Sequence, residues 1–334
     1  MVGSGVYSDW CYPCTDYYFR NSSSSTLVTA LADTGGKVTG DDSLFLVARL
    51  EAFLDQRVLD ARPFLVHLCF HSIHEPHPAM PEYYRLYETD PDYLGTLTQL
   101  DAAVGAAVHA LDVRALRENT LIIYTADNGP HQGRERSDIR WSTGFSLRQC
   151  KASVFEGGLR VPGLLHWPQG LGARDSTINI TTPVSSVDVL PTIMELLAVN
   201  ESANPTWVVD GMSLLPLVLD SDHDAPRERP LIFSWGGQEA IIDNDWKILT
   251  KPNKGQCTQQ LGFNYTTAGD DYFLFNLASD VHESHDLKDL EPDQFNRMFG
   301  LLQAARMSIN HSQASEVGCT PYHSESASVQ YSHM

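Results

Sequence analysis

Thr120-Leu-Ile-Ile-Tyr-Thr-Ala-Asp-Asn-Gly-Pro130 is an apolar run that ends in a carboxylate, a carboxamide and a glycine. Such a run is typical of a buried parallel strand, whose carboxyl end delivers polar side chains to the rim of a sheet. Asp127 and Asn128 offer only oxygen atoms for coordination, and Ca²⁺ and Mg²⁺ prefer oxygen ligands. The tripeptide Asp-Asn-Gly is also frequent in ordinary turns. By itself, the segment indicates either half of a metal site or a turn.

The residues before this segment predict a second strand and a connecting helix. Residues 62–70 are almost continuously apolar, and apolar residues recur at helical spacing through residues 93–116. Strand, helix and strand in this order form a βαβ unit, in which both parallel strands end at the same edge of the sheet. We therefore expect the histidines that follow residue 70 to lie close to Asp127 and Asn128.

Three histidines, His71, His74 and His77, lie in the loop after the first predicted strand. A protonated histidine there can donate to an anionic ester or to its leaving oxygen. His74 is the preferred candidate, with His71 and His77 as competitors; the alternative is a loop whose histidines only hydrogen-bond to the backbone. A polar loop at 131–144 is predicted to cover the site, and His131 at its start is a further substrate-binding candidate.

Lys151 is the candidate cation for the same site. It precedes two apolar residues and a Gly-Gly turn, so packed neighbours could fix its ammonium where an oxyanion binds. The alternative is a solvated surface lysine. Glu156 and Arg160 fit a structural ion pair better than a catalytic role.

The rest of the chain predicts a smaller second domain. Asp188 is a possible cap for a helix at 188–199, and prolines at 226–230 mark a boundary. Other elements are predicted as a helix at 41–59, strands at 161–167, 231–235, 240–249 and 272–277, and a helix at 292–307. The predicted domains are a catalytic α/β domain at 1–228, an antiparallel-sheet plus helix subdomain at 229–310, and a Ser/His-rich tail at 311–334.

The formal net charge of −19 over 334 residues argues against nucleic acid or an anionic membrane surface as a partner. Residues 1–10 lack the basic start and the apolar stretch of a signal peptide. Glycosylation acceptor sequences, which imply the secretory pathway, nevertheless occur at Asn21, Asn179, Asn200, Asn264 and Asn310. An N-terminally incomplete chain would reconcile the two signals, and we expect a lysosomal or extracellular protein.

The six cysteines fit no zinc template. Cys69 lies inside the predicted strand at 62–70 and is expected to be an inert buried thiol. Cys257 and Cys319 lie in polar C-terminal segments, where a disulfide would fit an oxidising compartment; whether they are bonded stays open on this argument.

Several segments, in this order, resemble motifs of the type I sulfatases of the alkaline phosphatase superfamily. They are Phe70-His-Ser-Ile-His-Glu-Pro76, Thr125-Ala-Asp-Asn-Gly129, Lys151 with Glu156-Gly-Gly-Leu-Arg160-Val-Pro162, Asp210-Gly-Met-Ser-Leu-Leu-Pro216, Asp245-Trp-Lys-Ile-Leu249 and Leu274-Phe-Asn-Leu-Ala-Ser-Asp-Val-His-Glu283. Within the family, the arylsulfatase B branch is the most similar, and that similarity favours a Cys257 to Cys319 disulfide.

The resemblance implies a fold, a reaction and roles for the candidate residues. The fold would be an incomplete alkaline-phosphatase-like α/β sandwich around a mostly parallel sheet, with a small C-terminal α+β subdomain. The reaction would be hydrolysis of sulfate monoesters of a sulfated small molecule or glycan. Asp127 and Asn128 would bind Ca²⁺, and His74 and Lys151 would contact the sulfate oxygens.

One part of the family pattern does not occur in these 334 residues. The family's nucleophile is a formylglycine made from the cysteine of Cys-X-Pro-X-Arg, and Cys11-Tyr-Pro-Cys-Thr15 departs from that motif at its last position. We therefore expect a truncated sulfatase that is inactive as this chain alone. The alternatives are a non-catalytic sulfate- or glycan-binding protein and a phosphodiesterase of the same superfamily.

Overall fold

The computed structural model of the chain describes residues 2–4, 17–21, 24–29, 42–75, 77–131, 147–172, 177–199, 209–220, 223–250 and 272–314. The chain divides into two compact units. The first comprises Met1–Gly144 and Val161–Ser176, and the second comprises Phe145–Arg160 and Thr177–Met334. In the described residues, no helix combines the length and the apolar character needed to cross a membrane.

The described helices are α1 Ser43–Asp60, α2 Pro81–Tyr84, α3 Pro91–Asp112, α4 Glu156–Leu159, α5 Pro168–Leu171, α6 Val189–Leu196, α7 Leu215–Leu219 and α8 Pro292–Ala314. The described strands are β1 Val2–Ser4, β2 Tyr17–Asn21, β3 Ser24–Thr29, β4 Ile122–Thr125, β5 Gly163–His166, β6 Leu231–Trp235, β7 Gln238–Asp243, β8 Trp246–Thr250 and β9 Tyr272–Asn276. The helices predicted at 41–59 and 93–116 and the strands predicted at 120–126 and 161–167 are confirmed, with boundaries shifted by a few residues.

The first unit is built on the two long helices α1 and α3. Leu54 of α1 is fully buried against Ala110 and Leu111 of α3, and Phe64 and Ile122 pack on the same cluster. Strand β4 therefore begins on the helical core. It pairs antiparallel with β5, which places Thr125, the last strand residue before the Asp-Asn-Gly segment, opposite Gly163.

The parallel strand predicted at 62–70 is not found. These residues carry no strand assignment, and every strand pairing in the described residues is antiparallel, so the mostly parallel sheet is not confirmed. The apolar run predicted burial on both faces, yet Leu65 is 75% exposed. A strand needs a hydrogen-bonded neighbour as well as an apolar sequence, and the described residues supply none here.

The same exposure corrects the prediction for Cys69. Its thiol is free and exposed rather than buried, because the segment that carries it is not covered on both faces. Cys257 and Cys319, whose pairing was predicted, lie outside the described residues, as do 132–144 of the covering loop and 315–334 of the tail. Helix α8 continues through Ala314, beyond its predicted end at 307.

The second unit contains a four-stranded antiparallel sheet in the order β6-β7-β8-β9. One face of this sheet packs on α8, where Ile241, Ile248 and Leu274 meet Met298 and Leu302 in a fully buried cluster. The apolar stretch predicted as one strand at 240–249 is a hairpin, since the chain turns between β7 and β8 at Asn244 in a left-handed conformation (φ 54°).

Asp188 does not cap α6 through its side chain as predicted. Both carboxylate oxygens bind the guanidinium of Arg227, at 2.7 and 2.8 Å, and both residues are buried. The same oxygens accept the backbone N–H groups of Ser185 and Met212, each at 2.8 Å. The carboxylate thus ties together three segments of the second unit.

Candidate functional site

The predicted metal half-site forms the carboxyl end of β4 in the first unit. Asp127 is exposed, Asn128 is half-buried and Gly129 is buried. The side-chain N–H of Asn128 donates to the carbonyl of Gly129 at 2.8 Å. That bond orients the carboxamide and leaves its oxygen as the atom suited to a cation.

The donors suit a calcium ion in kind, since a carboxylate and a carboxamide oxygen are hard ligands. Among the described residues, no group of three or more His, Cys, Asp and Glu side chains could hold a metal. A calcium site takes about six to eight oxygens, so Asp127 and Asn128 supply only a minority of them. The metal half-site therefore stays a prediction.

Asp127 acts electrostatically on Cys69, at the end of segment 62–70. Partial desolvation of the sulfur, followed by the negative charge of Asp127, raises the pKa of the Cys69 thiol above its ordinary value, although the side chain as a whole is exposed. The predicted approach of the histidine loop to Asp127 and Asn128 stays a prediction. The Nε2 atom of His67 lies 3.3 Å from the Cys69 sulfur.

The histidine loop presents His74 at the surface. Its Nδ1 atom lies 2.9 Å from the carbonyl oxygen of Glu75. Because a carbonyl can only accept, Nδ1 carries the proton of this bond, which makes Nε2 the ring nitrogen suited to face a ligand. His71 is held differently, by a very short bond from Nδ1 to the buried carboxylate of Asp42.

His131, the third substrate-binding candidate, also belongs to the first unit. Its Nδ1 atom is buried and has no hydrogen-bond partner among the described residues. A buried ring nitrogen without a partner is costly, so this atom suits either a bound water or a polar ligand group. The structure leaves His131 as a candidate and does not assign its partner.

Lys151 belongs to the second unit, on a loop that the chain holds in an unusual backbone conformation. Gln149 and Ala152, on either side of it, have φ angles of 66° and 67°, values that non-glycine residues rarely adopt. Lys151 and Ala152 are half-buried, whereas residues 148–150 and 153–158 are buried. Loop strain of this kind persists only where the surrounding structure imposes it.

Two glycines of α4 allow that loop to approach closely. A Cβ atom on Gly157 would lie 2.2 Å from the carbonyl oxygen of Gln149, and one on Gly158 would lie 2.2 Å from that of Ser153. The backbone N–H of Gly157 donates to the carbonyl of Arg148 at 2.8 Å. The Gly-Gly turn therefore serves as a platform for the lysine loop.

Beneath this platform lies a buried charge cluster that sequence reasoning missed. The ammonium of Lys247, in β8, lies 2.8 Å from a carboxylate oxygen of Glu156 and 2.8 Å from one of Glu283, and all three side chains are buried. The predicted ion pair between Glu156 and Arg160 is confirmed at 3.3 Å, but it is the outer, more exposed contact of the cluster. The available signal was a lysine within the apolar strand Trp246–Thr250.

The cluster places two carboxylates around one ammonium. Burial raises the pKa of Glu283 to about 7, the charge of Lys247 opposes that shift, and the charge of Glu156 adds to it. Burial would lower the pKa of Lys247, but the carboxylates of Glu283 and Glu156 together raise it. Lys247 is therefore charged at neutral pH, whereas Glu283 titrates there.

Comparison with known proteins assigns the chain to a family. The model of the sulfatase family matches residues 3–199, more than half of the chain, and the chain therefore belongs to the sulfatase family. The family resemblance seen in the sequence motifs is confirmed, whereas the arylsulfatase B branch stays a prediction.

Three relatives illustrate the similarity. Over 74% of its length, this chain is 31% identical to arylsulfatase A of Homo sapiens and covers 47% of it. It is 29% identical to steryl-sulfatase of Rattus norvegicus, again over 74% of its length, and covers 45% of that protein. The structure of Ps i-CgsB in complex with k-i-k-neocarrahexaose is similar with a TM-score of 0.63 and 26% identity, covering 78% of this chain and 54% of that one.

The similarity establishes the sulfatase fold, but it extends over only part of each relative. The chain spans about half the length of the curated relatives that it matches. The activity of the relatives therefore reaches this chain only as a proposal.

Proposed function

We propose that this chain carries a sulfate-recognition part of a sulfuric ester hydrolase that acts on aryl or glycan sulfate monoesters. Lys151 of the second unit is the residue proposed to contact sulfate oxygens, and His74 and His131 of the first unit are each candidates for the same role. The observation that supports this most is the Lys151 loop, which two left-handed residues, a glycine platform and a buried charge cluster hold in place. A solvated surface lysine needs no such support.

The chemistry expected of these residues is stabilisation of charge on the sulfate oxygens. A fixed ammonium and an oriented imidazolium that donates from Nε2 need no reorganisation when negative charge develops, and such preorganised donors account for much of the rate enhancement in ester hydrolysis. The proton on Nδ1 of His74 is already engaged by the carbonyl of Glu75. Its Nε2 atom, when protonated, is the donor for sulfate.

Asp127 and Asn128 are the residues that would hold a calcium ion. Such an ion, when bound, would supply positive charge opposite the sulfate oxygens. Two oxygen ligands bind calcium weakly by themselves. We therefore expect weak binding by the chain as it stands, with a dissociation constant of about 0.1–1 mM.

The family's formylglycine nucleophile has no counterpart here, because no Cys-X-Pro-X-Arg sequence occurs in the 334 residues. Covalent catalysis requires a nucleophile. We therefore propose that this chain alone binds sulfate and shows little or no turnover. A non-catalytic sulfate- or glycan-binding role is the second candidate, and the recognition residues are the same for both.

We also propose that the protein is located in the secretory pathway, in lysosomes or outside the cell. The acceptor asparagines Asn179 and Asn310 are exposed, as glycosylation requires. Cys150 is disulfide-bonded, which is typical of proteins in oxidising compartments.

Calorimetric titration of the chain with inorganic sulfate, at pH 6 with Ca²⁺ present, tests the recognition proposal. Lys151→Met should weaken sulfate binding about tenfold or more, a loss of about 1.4 kcal/mol. Arg297→Met is the matched control, because it removes an exposed cation of the same unit that pairs with Asp243. Equal affinities of Lys151→Met and the unsubstituted chain would refute the role of Lys151.

An aryl sulfate chromogen separates the two candidate functions. Turnover by this chain joined to an upstream segment that supplies Cys-X-Pro-X-Arg would favour the hydrolase. Sulfate binding without turnover in the joined chain, under conditions that mature the cysteine, would favour the binding protein.

A further inference from the structure

Glu283 contacts both ends of the segment that carries Lys151. Its backbone carbonyl accepts a hydrogen bond from the Nη1 atom of Arg148 at 2.6 Å, and its Oε2 atom accepts the backbone N–H of Glu156 at 2.7 Å. Lys151 lies between these two anchor points. All of these residues except Lys151 are buried.

The other contacts of Glu283 keep its carboxylate in place. Oε1 forms an ion pair with the ammonium of Lys247 at 2.8 Å, whereas Oε2 accepts the backbone N–H of Glu156. Glu283 also has a φ angle of 54°, and both its backbone carbonyl and its side chain contact the same segment. The backbone and the carboxylate of Glu283 therefore both hold the segment that carries Lys151.

The first anchor point is reinforced by aromatic rings. The guanidinium of Arg148 lies 4.3 Å from the ring centre of Phe155, and the rings of Phe273 and Phe275 lie 5.6 and 5.8 Å away. A cation over an aromatic face is attracted by the ring electrons, and the attraction is stronger when water is excluded. Arg148 is therefore fixed by the rings at the same time as it donates to Glu283.

We propose that Glu283 is a positioning residue for Lys151: by holding Arg148 and Glu156, it fixes the backbone from which the Lys151 ammonium reaches sulfate. This inference rests on the proposed function for the ligand, but the positioning itself is a property of the second unit alone. Lys247 acts as the counter-charge that opposes protonation of the Glu283 carboxylate and holds it in place. The groups that face Glu283 are Lys247 from β8, Glu156 from α4 and Arg148 from the lysine loop.

The variant Glu283→Gln tests the contacts of the side chain with Lys247 and with the Glu156 N–H, and it conserves the shape of the side chain. A carboxamide has one acceptor oxygen and an NH₂ group, so it can accept from Lys247 or from the Glu156 N–H but not from both. One donor would then face the NH₂ group. The lysine loop should therefore loosen, although the core loses no volume.

The test measures the acetylation rate of Lys151 by mass spectrometry as a function of pH, on the full chain. In Glu283→Gln, Lys151 should be acetylated about threefold to tenfold faster across the pH range, because a looser loop exposes the amine more often. Asp188→Asn is the control, because it breaks another buried ion pair of the same unit that does not touch the loop. Its Lys151 profile should match that of the unsubstituted chain.

A profile for Glu283→Gln that coincides with the unsubstituted one overturns the positioning role, as does an equal change in Asp188→Asn. If Glu283→Gln fails to fold in urea titrations, Arg148→Met takes its place. That variant removes the other anchor and leaves an apolar side chain among the aromatic rings. It should also accelerate acetylation.

Inorganic sulfate, added to the same reaction, keeps the two proposals distinguishable. Sulfate should protect Lys151 in the unsubstituted chain, and the half-protecting concentration should rise about tenfold in Glu283→Gln. No protection in the unsubstituted chain would count against sulfate recognition alone. The acetylation profiles without sulfate would still decide whether Glu283 positions Lys151.

Discussion

Glu283 accepts the backbone N–H of Glu156 at 2.7 Å, although the two residues are 127 positions apart in the sequence. This bond joins the segment after β9 to the start of α4 and closes the cluster around Lys247. The protonation state of this cluster should affect the stability of the second unit. It can be followed through the pH dependence of unfolding.

The first prediction concerns pH. The pKa of Glu283 is raised from 4.5 to about 7, so the folded chain binds this proton more tightly than the unfolded chain does. The resulting stability is complete below about pH 4.5 and is lost as the pH rises through about 7, at no more than about 1.4 kcal/mol per pH unit. In urea titrations at pH 5.5 and 8, Glu283→Gln should therefore lose less stability with rising pH than the unsubstituted chain. Equal losses would contradict the assignment.

The second prediction concerns the glycine platform. In Gly158→Ala, the new methyl group would meet the carbonyl oxygens of Ser153 at 2.2 Å and Cys150 at 2.7 Å. Overpacking of this kind costs about 1–3 kcal/mol, and it should also displace the Lys151 loop. The control is Gly300→Ala in α8, where nothing lies within 4 Å; it should stabilise the chain by about 0.5–1 kcal/mol through helix propensity. Urea denaturation measures both.

The third prediction concerns Asp188. Asp188→Asn leaves the guanidinium of Arg227 buried without a counter-charge, and breaking a buried pair in this way costs about 3–5 kcal/mol. Asp243→Asn breaks the more exposed pair with Arg297, for which we expect about 1 kcal/mol or less. Similar unfolding free energies for the two variants would show that burial does not set the cost here.

The fourth prediction concerns calcium. If Asp127 is a ligand with a dissociation constant in the range of about 0.1–1 mM, 10 mM Ca²⁺ should stabilise the chain by about 1–3 kcal/mol. A chelator should remove that gain. Asp127→Asn should abolish it, whereas Asp112→Asn, which alters the surface pair with Arg117, should not. Thermal unfolding with Mg²⁺ in place of Ca²⁺ provides the check on ion selectivity, and the same gain in Asp127→Asn would exclude this site.

Local patterns predicted the helices well, because apolar spacing directly encodes the face that α1 and α3 bury against each other. The same patterns failed where burial depends on a neighbour, as in segment 62–70. The prediction of one strand at 240–249 overlooks the polar residues Asp243-Asn244-Asp245, which interrupt the apolar stretch where the chain turns.

For the candidate site, the sequence predicted Lys151, His74, Asp127 and Asn128 from their positions after apolar runs and before turns, and their roles stay predictions. It did not reveal Glu283 as a partner of Glu156 and Lys247. A long-range contact leaves no periodic mark, since each partner is specified by tertiary packing rather than by its neighbours in the chain. In the sequence, Glu283 is marked only as the last residue of the sulfatase-like segment 274–283.

Cys69, which the sequence predicts to be buried, provides an exposed thiol for chemical labelling. Its free, exposed thiol lies close enough to Asp127 for that carboxylate to influence its ionisation. A fluorophore attached to this sulfur would therefore act as an optical reporter next to the candidate ion site. Because its pKa is raised, labelling should proceed slowly at neutral pH and faster in mildly alkaline buffer, and binding of an ion at Asp127 should alter the labelling rate itself.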